Sequence, residues 1–283
     1  MKHVSLVLAC CLALAACQAG AAPTTPPTLP VPQFSIATVT PASTAAESQT
    51  QPPAAPSAAP AATPSAPVSL TVTTPDGLSM AGDFYLPALS GVPAGSKVPG
   101  VLLLHMVGGS KADWAVWARE LQLRGFAALA VDLRGQGQTG GPEDWAKAPA
   151  DVSAAWQALT SRPEVDPQHS AIVGASIGAN LALIVGANTP GVATVIALSP
   201  GLDYKGVQPV GYLGNFGQRP VLLVASQDDA YAYTSVQQMA PLVPKGDTNY
   251  FAKAGHGMAM FSVPTLSPLL LTWLEDHLGV MKG

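Results

Sequence analysis

From residue 101 onward the chain alternates short apolar runs with longer stretches of helical periodicity, and that alternation restricts the fold more than any other feature. Val101-Leu-Leu-Leu104, Ala127-Ala-Leu-Ala-Val131, Ala171-Ile-Val173, Val192 to Leu198 and Val221-Leu-Leu-Val224 are continuous rather than alternating, as strands buried on both faces are. Between them, Lys111 to Leu123, Asp151 to Leu159, Ile177 to Ala187 and Tyr231 to Ala240 read as helices, with a last helix from about Ser267 to Leu278. Such a succession predicts an α/β domain: a mostly parallel central sheet with helices on both faces. Upstream, Val68 to Thr74 alternates as an antiparallel strand does, with Asp76-Gly77 as its turn, and Thr248 to Phe251 reads as the last strand. In sheets of this kind, sites form at the carboxyl ends of strands. Only about twenty residues, Gly201 to Pro220, separate two of the predicted strands, so no inserted lid domain is expected.

Composition removes several functions. A net charge of −4 and 11% charged residues leave no basic face for nucleic acid. The three cysteines, Cys10, Cys11 and Cys17, all precede residue 18, so the body has no thiol nucleophile, disulfide or thiolate metal site. No His-x-x-x-His spacing and no Gly-x-x-x-x-Gly-Lys loop occurs, so neither a metal nor a cofactor is expected. With 48% hydrophobic residues, an apolar core alone can sustain the fold.

The N-terminal part reads as an address. Met1-Lys2-His3 is a short positive start, and Val4 to Ala16 is apolar but too short to span a bilayer. Leu14-Ala15-Ala16-Cys17 resembles the lipobox of bacterial lipoproteins, which implies a signal peptide over 1–16 and acylation of Cys17. More than one acyl chain would make a stable membrane anchor, and Gln18 after the cysteine favours the outer membrane by the same resemblance. From residue 17 to 67 twelve of the 28 prolines occur among Ala, Thr, Ser and Gln, with Glu47 as the only charge, a composition expected to form an extended tether. The expected arrangement is a folded domain over 68–283, monomeric, extracytoplasmic and lipid-anchored in the cell envelope.

Chemistry is expected where the third buried run ends. Gly174-Ala175-Ser176-Ile177-Gly178 places Gly-x-Ser-x-Gly between a strand and a helix, the setting of a nucleophile elbow. The turn is so tight that positions two before and two after the serine must carry almost no side chain. A serine hydroxyl needs a base. Of the five histidines, His3 leaves with the signal, His169 precedes the nucleophile strand, His105 ends an earlier strand and His277 lies on a polar helix face. His256 remains, in Ala254-Gly255-His256-Gly257 after the last strand. The acid that steadies the imidazole is sought after Val221-Leu-Leu-Val224, where Asp228 and Asp229 both stand, with Asp203 one strand earlier as a third choice.

Residues 68–283 resemble the α/β-hydrolase superfamily in its small, lidless form, akin to dienelactone-hydrolase-like proteins and bacterial carboxylesterases. The resemblance rests on Ser176, an aspartate and His256 in that chain order, and on two lesser motifs. It implies Asp229 as the acid, about three residues past Ser226, with Asp228 as runner-up. Leu104-His105-Met106-Val107-Gly108-Gly109 resembles the segment supplying one oxyanion donor, which implies the Val107 N–H (or that of Met106) together with the Ile177 N–H. Met106 stands where relatives usually carry glycine. Asp132-Leu-Arg134-Gly135-Gln-Gly137 resembles a structural loop of the family. Dienelactone hydrolases proper use cysteine; serine here moves the expected substrate toward ordinary small-molecule esters. The implied activity is ester cleavage by a Ser-His-Asp triad through an acyl-enzyme. The alternatives are a peptidase or thioesterase with the same triad, or a lipid-anchored binding protein on a non-catalytic hydrolase fold.

Overall fold

The apolar runs form strands, and the strands form one sheet. In the computed structural model, which describes residues 65–88 and 95–279, the elements follow in the order β1 (Val68–Thr73), β2 (Ser79–Tyr85), β3 (Val98–Leu104), α1 (Ala115–Leu123), β4 (Ala127–Val131), α2 (Ala148–Thr160), β5 (Val165–Ala175), α3 (Ile177–Asn188), β6 (Val192–Leu198), β7 (Val221–Ser226), α4 (Ala230–Met239), β8 (Gly246–Phe251) and α5 (Leu266–Leu278). The signal peptide, Cys17 and nearly all of the expected tether lie outside the described residues. The sheet has the order β1-β2-β4-β3-β5-β6-β7-β8. β1 and β4 each pair antiparallel with β2, and all other neighbours are parallel. β1 therefore runs in the same direction as β3 to β8, with β2 alone reversed. The fold is α/β, with no inserted lid among the described residues.

Burial explains the uninterrupted runs. Every residue of β3, β4 and β7 is buried, because both sheet faces are covered. Alternate residues of one strand feed opposite cores. Leu102 and Leu104 join the layer beneath α2, α3 and α4, whereas Val101 and Leu103 join the layer beneath α1 and α5. Apart from Asn180, α3 is apolar all round and buried along Ile177–Ala187, as the central helix of a three-helix face must be. α1 buries Trp117, Ala118 and Leu121 on one side and leaves Val116 in solvent. β8 carries Gly-Asp-Thr-Asn-Tyr-Phe and is half exposed, as an edge strand can be.

Three details differ from the reading of the runs. β2 was not foreseen: Ser-Met-Ala-Gly-Asp-Phe-Tyr puts Met80 and Phe84 inward but carries Gly82 and Asp83 in its centre, and Asp83 is held by Lys111 Nζ at 2.9 Å. Lys111–Trp114 is a 3₁₀ turn capped by Ser110 and Asp113, so the α-helix begins only at Ala115. His169 lies within β5 rather than in a loop before it. The pairing there jumps from Asp166 opposite Pro99 to Ser170 opposite Gly100, and the His169 Nδ1 stands 2.8 Å from the Asp166 carboxylate. That position is at the amino end of the sheet, away from the strand ends where the chemistry is expected.

Candidate active site

β5 ends at Ala175 and α3 begins at Ile177, so Ser176 alone turns the chain. Its backbone has φ 55° and ψ −120°, a strained conformation for a residue with a side chain, costing on the order of 1–3 kcal/mol. Two glycines make the turn possible. A Cβ on Gly174 would collide with the carbonyl of Gly178, and a Cβ on Gly178 with the carbonyls of Leu104 and His105. The second clash also shows that the first turn of α3 lies directly on the end of β3. The Ser176 N–H is tied to the Leu198 carbonyl at 2.8 Å, and only 6% of the residue is exposed.

His256 reaches this serine from beyond β8. Its Nε2 is 2.8 Å from Ser176 Oγ, and its Nδ1 is 2.6 Å from Asp229 Oδ2. The two bonds together fit a neutral ring carrying its proton on Nδ1, donated to the carboxylate, with Nε2 accepting the serine hydroxyl. Asp229 is also the first residue before α4, where its other oxygen accepts the Ala232 N–H at 3.4 Å, so the positive end of that helix helps hold its charge. The imidazole is about one third exposed, leaving an open side from which a substrate could approach.

Three polar groups at two strand ends fix the histidine loop. Ser226, the last residue of β7, accepts the Ala254 N–H at 2.7 Å, and Asp228 Oδ1 accepts the Gly255 N–H at 3.1 Å. Ser199, just past β6, accepts the Gly257 N–H at 2.9 Å and donates to Met260 Sδ at 3.3 Å. Asp228 thus binds backbone rather than the imidazole. The Ser226 hydroxyl first, and then the Gly255 N–H, hold its carboxyl below the usual carboxylate range. Asp203 also faces elsewhere: it braces a turn by accepting the Gly206 N–H at 2.7 Å and Gln208 Nε2 at 2.6 Å.

Beyond β3, His105 is fully buried with both ring nitrogens engaged. Leu133 N–H donates to its Nε2 at 2.9 Å, so the proton sits on Nδ1, which donates to the Met106 carbonyl at 2.7 Å. Burial pushes the His105 pKa down and keeps the ring neutral. Because a trans peptide points C=O and N–H in opposite directions, fixing the Met106 carbonyl on His105 turns the Val107 N–H the other way. Among the described residues neither the Val107 nor the Ile177 N–H donates to an acceptor. The Met106 sulfur lies against Gly257, so the side chain standing where relatives carry glycine packs under the histidine loop. The Asp132-to-Gly137 segment is a structural latch. Asp132 accepts the N–H groups of Lys111 and Gln138, and Arg134 forks between Asp151 and Asp76.

The aromatic residues near the strand ends divide. Trp114, Trp117 and Phe261 pack at 5.7–5.8 Å between centroids, and Trp117 and Phe261 line a cleft of about 500 Å³ with Val116 and Met258. Tyr212 lines a second, wider cleft, and Phe216 is core. Neither cleft is lined by Ser176, His256 or Asp229. The sequence reading missed two residues beside the serine. Asn180, one turn into α3, is fully buried and bonds Gly201 and Val207. Tyr204 stacks edge-to-face on His256, at 6.0 Å and 79°. A lone amide inside the apolar run Ile177–Ala187 was the available signal for the first; nothing local marks the second.

Comparison with known proteins agrees with this architecture. Residues 97–240 match the family model described as serine aminopeptidase, S33. A polyketide transferase of Stachybotrys chlorohalonatus is 33% identical over 139 residues, covering 46% of this chain and 43% of that protein. An uncharacterized protein of Mycobacterium tuberculosis is 32% identical over 127 residues, covering 45% and 43%, and the uncharacterized protein YfhR of Escherichia coli O157:H7 is 29% identical over 141 residues, covering 48% of each. The chain thus spans less than half the length of these curated relatives. Among solved structures, an esterase of Pyrococcus furiosus superposes with a TM-score of 0.62 at 19% identity, covering 75% of this chain and 91% of that one. The dienelactone hydrolase of Anabaena variabilis gives 0.61 at 20%, covering 75% and 98%. At those identities the structures speak for the fold alone.

Proposed function

The chain belongs to the α/β-hydrolase superfamily, within the family described as serine aminopeptidase S33, and from that premise we infer that it is a serine hydrolase cleaving carboxylic esters of small molecules. Ser176 is the nucleophile, His256 the base and Asp229 the acid that orients the ring. The observation that supports this reading is the run of two hydrogen bonds from Asp229 through His256 to Ser176, at 2.6 and 2.8 Å.

Ser176 Oγ attacks the ester carbonyl as its proton passes to His256 Nε2, and the imidazolium is stabilised by Asp229. The Ile177 and Val107 N–H groups hold the oxyanion; losing one such donor costs on the order of 100-fold in rate. Collapse of the tetrahedral intermediate breaks the carbon–oxygen bond of the leaving alcohol, which takes the proton from Nε2 and leaves Ser176 acylated. Water then attacks the acyl group, its proton goes to His256, and the acid is released with the serine restored. Peptide hydrolysis by the same three residues is the second reading, favoured by the description of the matching family. The enzyme works outside the cytoplasm, on a lipid anchor at Cys17.

A fluorophosphonate probe should label the wild-type protein and not Ser176→Ala. Absence of labelling in both refutes the reading. A panel of esters, thioesters and aminoacyl peptides then separates the activities, with esters expected to be fastest. Radiolabelled palmitate should enter the protein in bacteria and be lost in Cys17→Ala; incorporation unchanged by that substitution would rule out the anchor.

A further inference from the structure

We propose that Tyr204 is a catalytic residue whose hydroxyl hydrogen-bonds the leaving-group atom of the substrate, an inference that rests on Ser176 being the nucleophile. The argument starts from the sheet order. β3 and β6 flank β5 on opposite sides. The candidate oxyanion donors belong to the end of β3 and the start of α3, so the carbonyl oxygen of a bound ester points to that side. Tyr204 arrives from the loop after β6, on the other side. Its ring packs edge-to-face on His256 at 6.0 Å, and its hydroxyl donates to the Ser199 carbonyl at 3.2 Å. Ser199 follows Leu198, whose carbonyl accepts the Ser176 N–H at 2.8 Å, so the hydroxyl is tied at the strand end beside the serine. In an acyl transfer the leaving atom must lie beside Nε2, which gives it a proton. A tyrosine whose ring packs on the imidazole and whose hydroxyl is tied at that strand end brings an O–H beside that atom.

The loop is built to hold the tyrosine there. A Cβ on Gly201 would fall 2.6 Å from Tyr204 Cζ and 2.7 Å from Tyr231 Cε1, so the two rings pack over a position that must lack a side chain. Tyr231 lies 5.5 Å from Tyr204, and its hydroxyl bridges the N–H and C=O of Asp203, both at 3.0 Å. Asn180 clamps both ends by bonding Gly201 and Val207. Burial first, and then the nearby Asp229 charge, push the phenol pKa up, so the hydroxyl stays protonated and able to donate throughout the working range. On substrate binding the O–H swings from the Ser199 carbonyl to the departing oxygen. Its contribution therefore grows with the negative charge on that oxygen, which suits the site to esters of poor, alkyl-alcohol leaving groups.

The test is Tyr204→Phe in the full chain, which keeps the ring over Gly201. kcat/KM is measured on acetate esters sharing one acyl group, from p-nitrophenyl through phenyl to ethyl. With one hydrogen bond to a developing charge at stake, ethyl acetate should lose about tenfold and p-nitrophenyl acetate less than about twofold. Tyr231→Phe, which loosens the brace and keeps the Tyr204 hydroxyl, should lower all three by a similar factor. An equal loss across leaving groups in Tyr204→Phe, or a loss below twofold for all, overturns the proposal. If fluorophosphonate labels wild type and Tyr204→Phe alike, that failure belongs to Tyr204 alone. If wild type is not labelled, the nucleophile assignment falls and takes this proposal with it.

Discussion

Asn180 offers the most demanding test of how the site is built. Its side chain is fully buried, and its amide makes three bonds: Nδ2 donates to the Gly201 and Val207 carbonyls at 2.9 and 2.7 Å, and Oδ1 accepts the Gly201 N–H at 2.9 Å. Asn180→Ala takes a partner from all three backbone groups: the Gly201 N–H and C=O are left with none, and the Val207 carbonyl keeps only the Tyr204 N–H at 3.3 Å. At about 1–3 kcal/mol for each, partly offset by water entering the vacated space, the loss should be about 3–5 kcal/mol. Asn180→Asp is nearly the same size but should do no better. A carboxylate still accepts from Gly201 N–H, yet it sets a negative oxygen against two carbonyls. Urea unfolding of the purified protein, followed by tryptophan fluorescence, measures both. Asn188→Ala, at an exposed position with one 3.3 Å bond to Asn215, should change stability by less than about 0.5 kcal/mol. A loss below about 1 kcal/mol for Asn180→Ala would refute the claim that this amide ties the loop after β6 to the nucleophile helix.

The two adjacent aspartates should separate cleanly. Asp229→Asn, which leaves the ring in the wrong tautomer, should lower kcat by about 10³–10⁴, whereas Asp228→Asn can still accept from Gly255 N–H and should cost less than about tenfold; steady-state rates on one ester decide. The Arg134 guanidinium, with help from Thr74 and Lys147, holds the Asp76 carboxyl well below the usual carboxylate range. Its folded pKa is depressed, so its stabilising effect is complete above the unfolded value of about 3.9 and is lost as pH falls further. The melting-temperature gap between wild type and Asp76→Asn should therefore be constant from pH 7 to about 4 and narrow below that; a gap that widens on acidification contradicts the pairing. With no inserted lid, hydrolysis of a medium-chain ester should rise hyperbolically through its solubility limit, and a sharp jump at that limit would contradict an uncovered site.

The sequence was most readable where one physical demand acted alone. Strands buried on both faces can only be continuous apolar runs, so β4 and β6 fall where their runs do. A serine turned back on itself requires Gly174 and Gly178, which made the elbow visible. β2 was obscured because it serves two masters: one face feeds the core through Met80 and Phe84, and the other presents Asp83 to Lys111. The strand pattern alone left Asp228 and Asp229 open, and only the resemblance implied Asp229, since neighbouring residues leave a strand end in different directions. One side chain turns to the loop backbone and the other to the imidazole. Tyr204 left no trace because its place depends on Asn180, Gly201 and Tyr231, scattered over more than fifty residues.

The direction of β1 carries a consequence for any surface to which the protein is fastened. Ser65 is bound through Gln122, at the close of α1 and just before β4 starts, whereas Ser176 stands past the far end of β5. Measured along the strands, the point of entry and Ser176 are about seven residues or ~20 Å apart, on opposite rims. A surface linkage made at Ser65 would meet the domain at its blank rim, leaving the rim that carries Ser176 open to dissolved molecules.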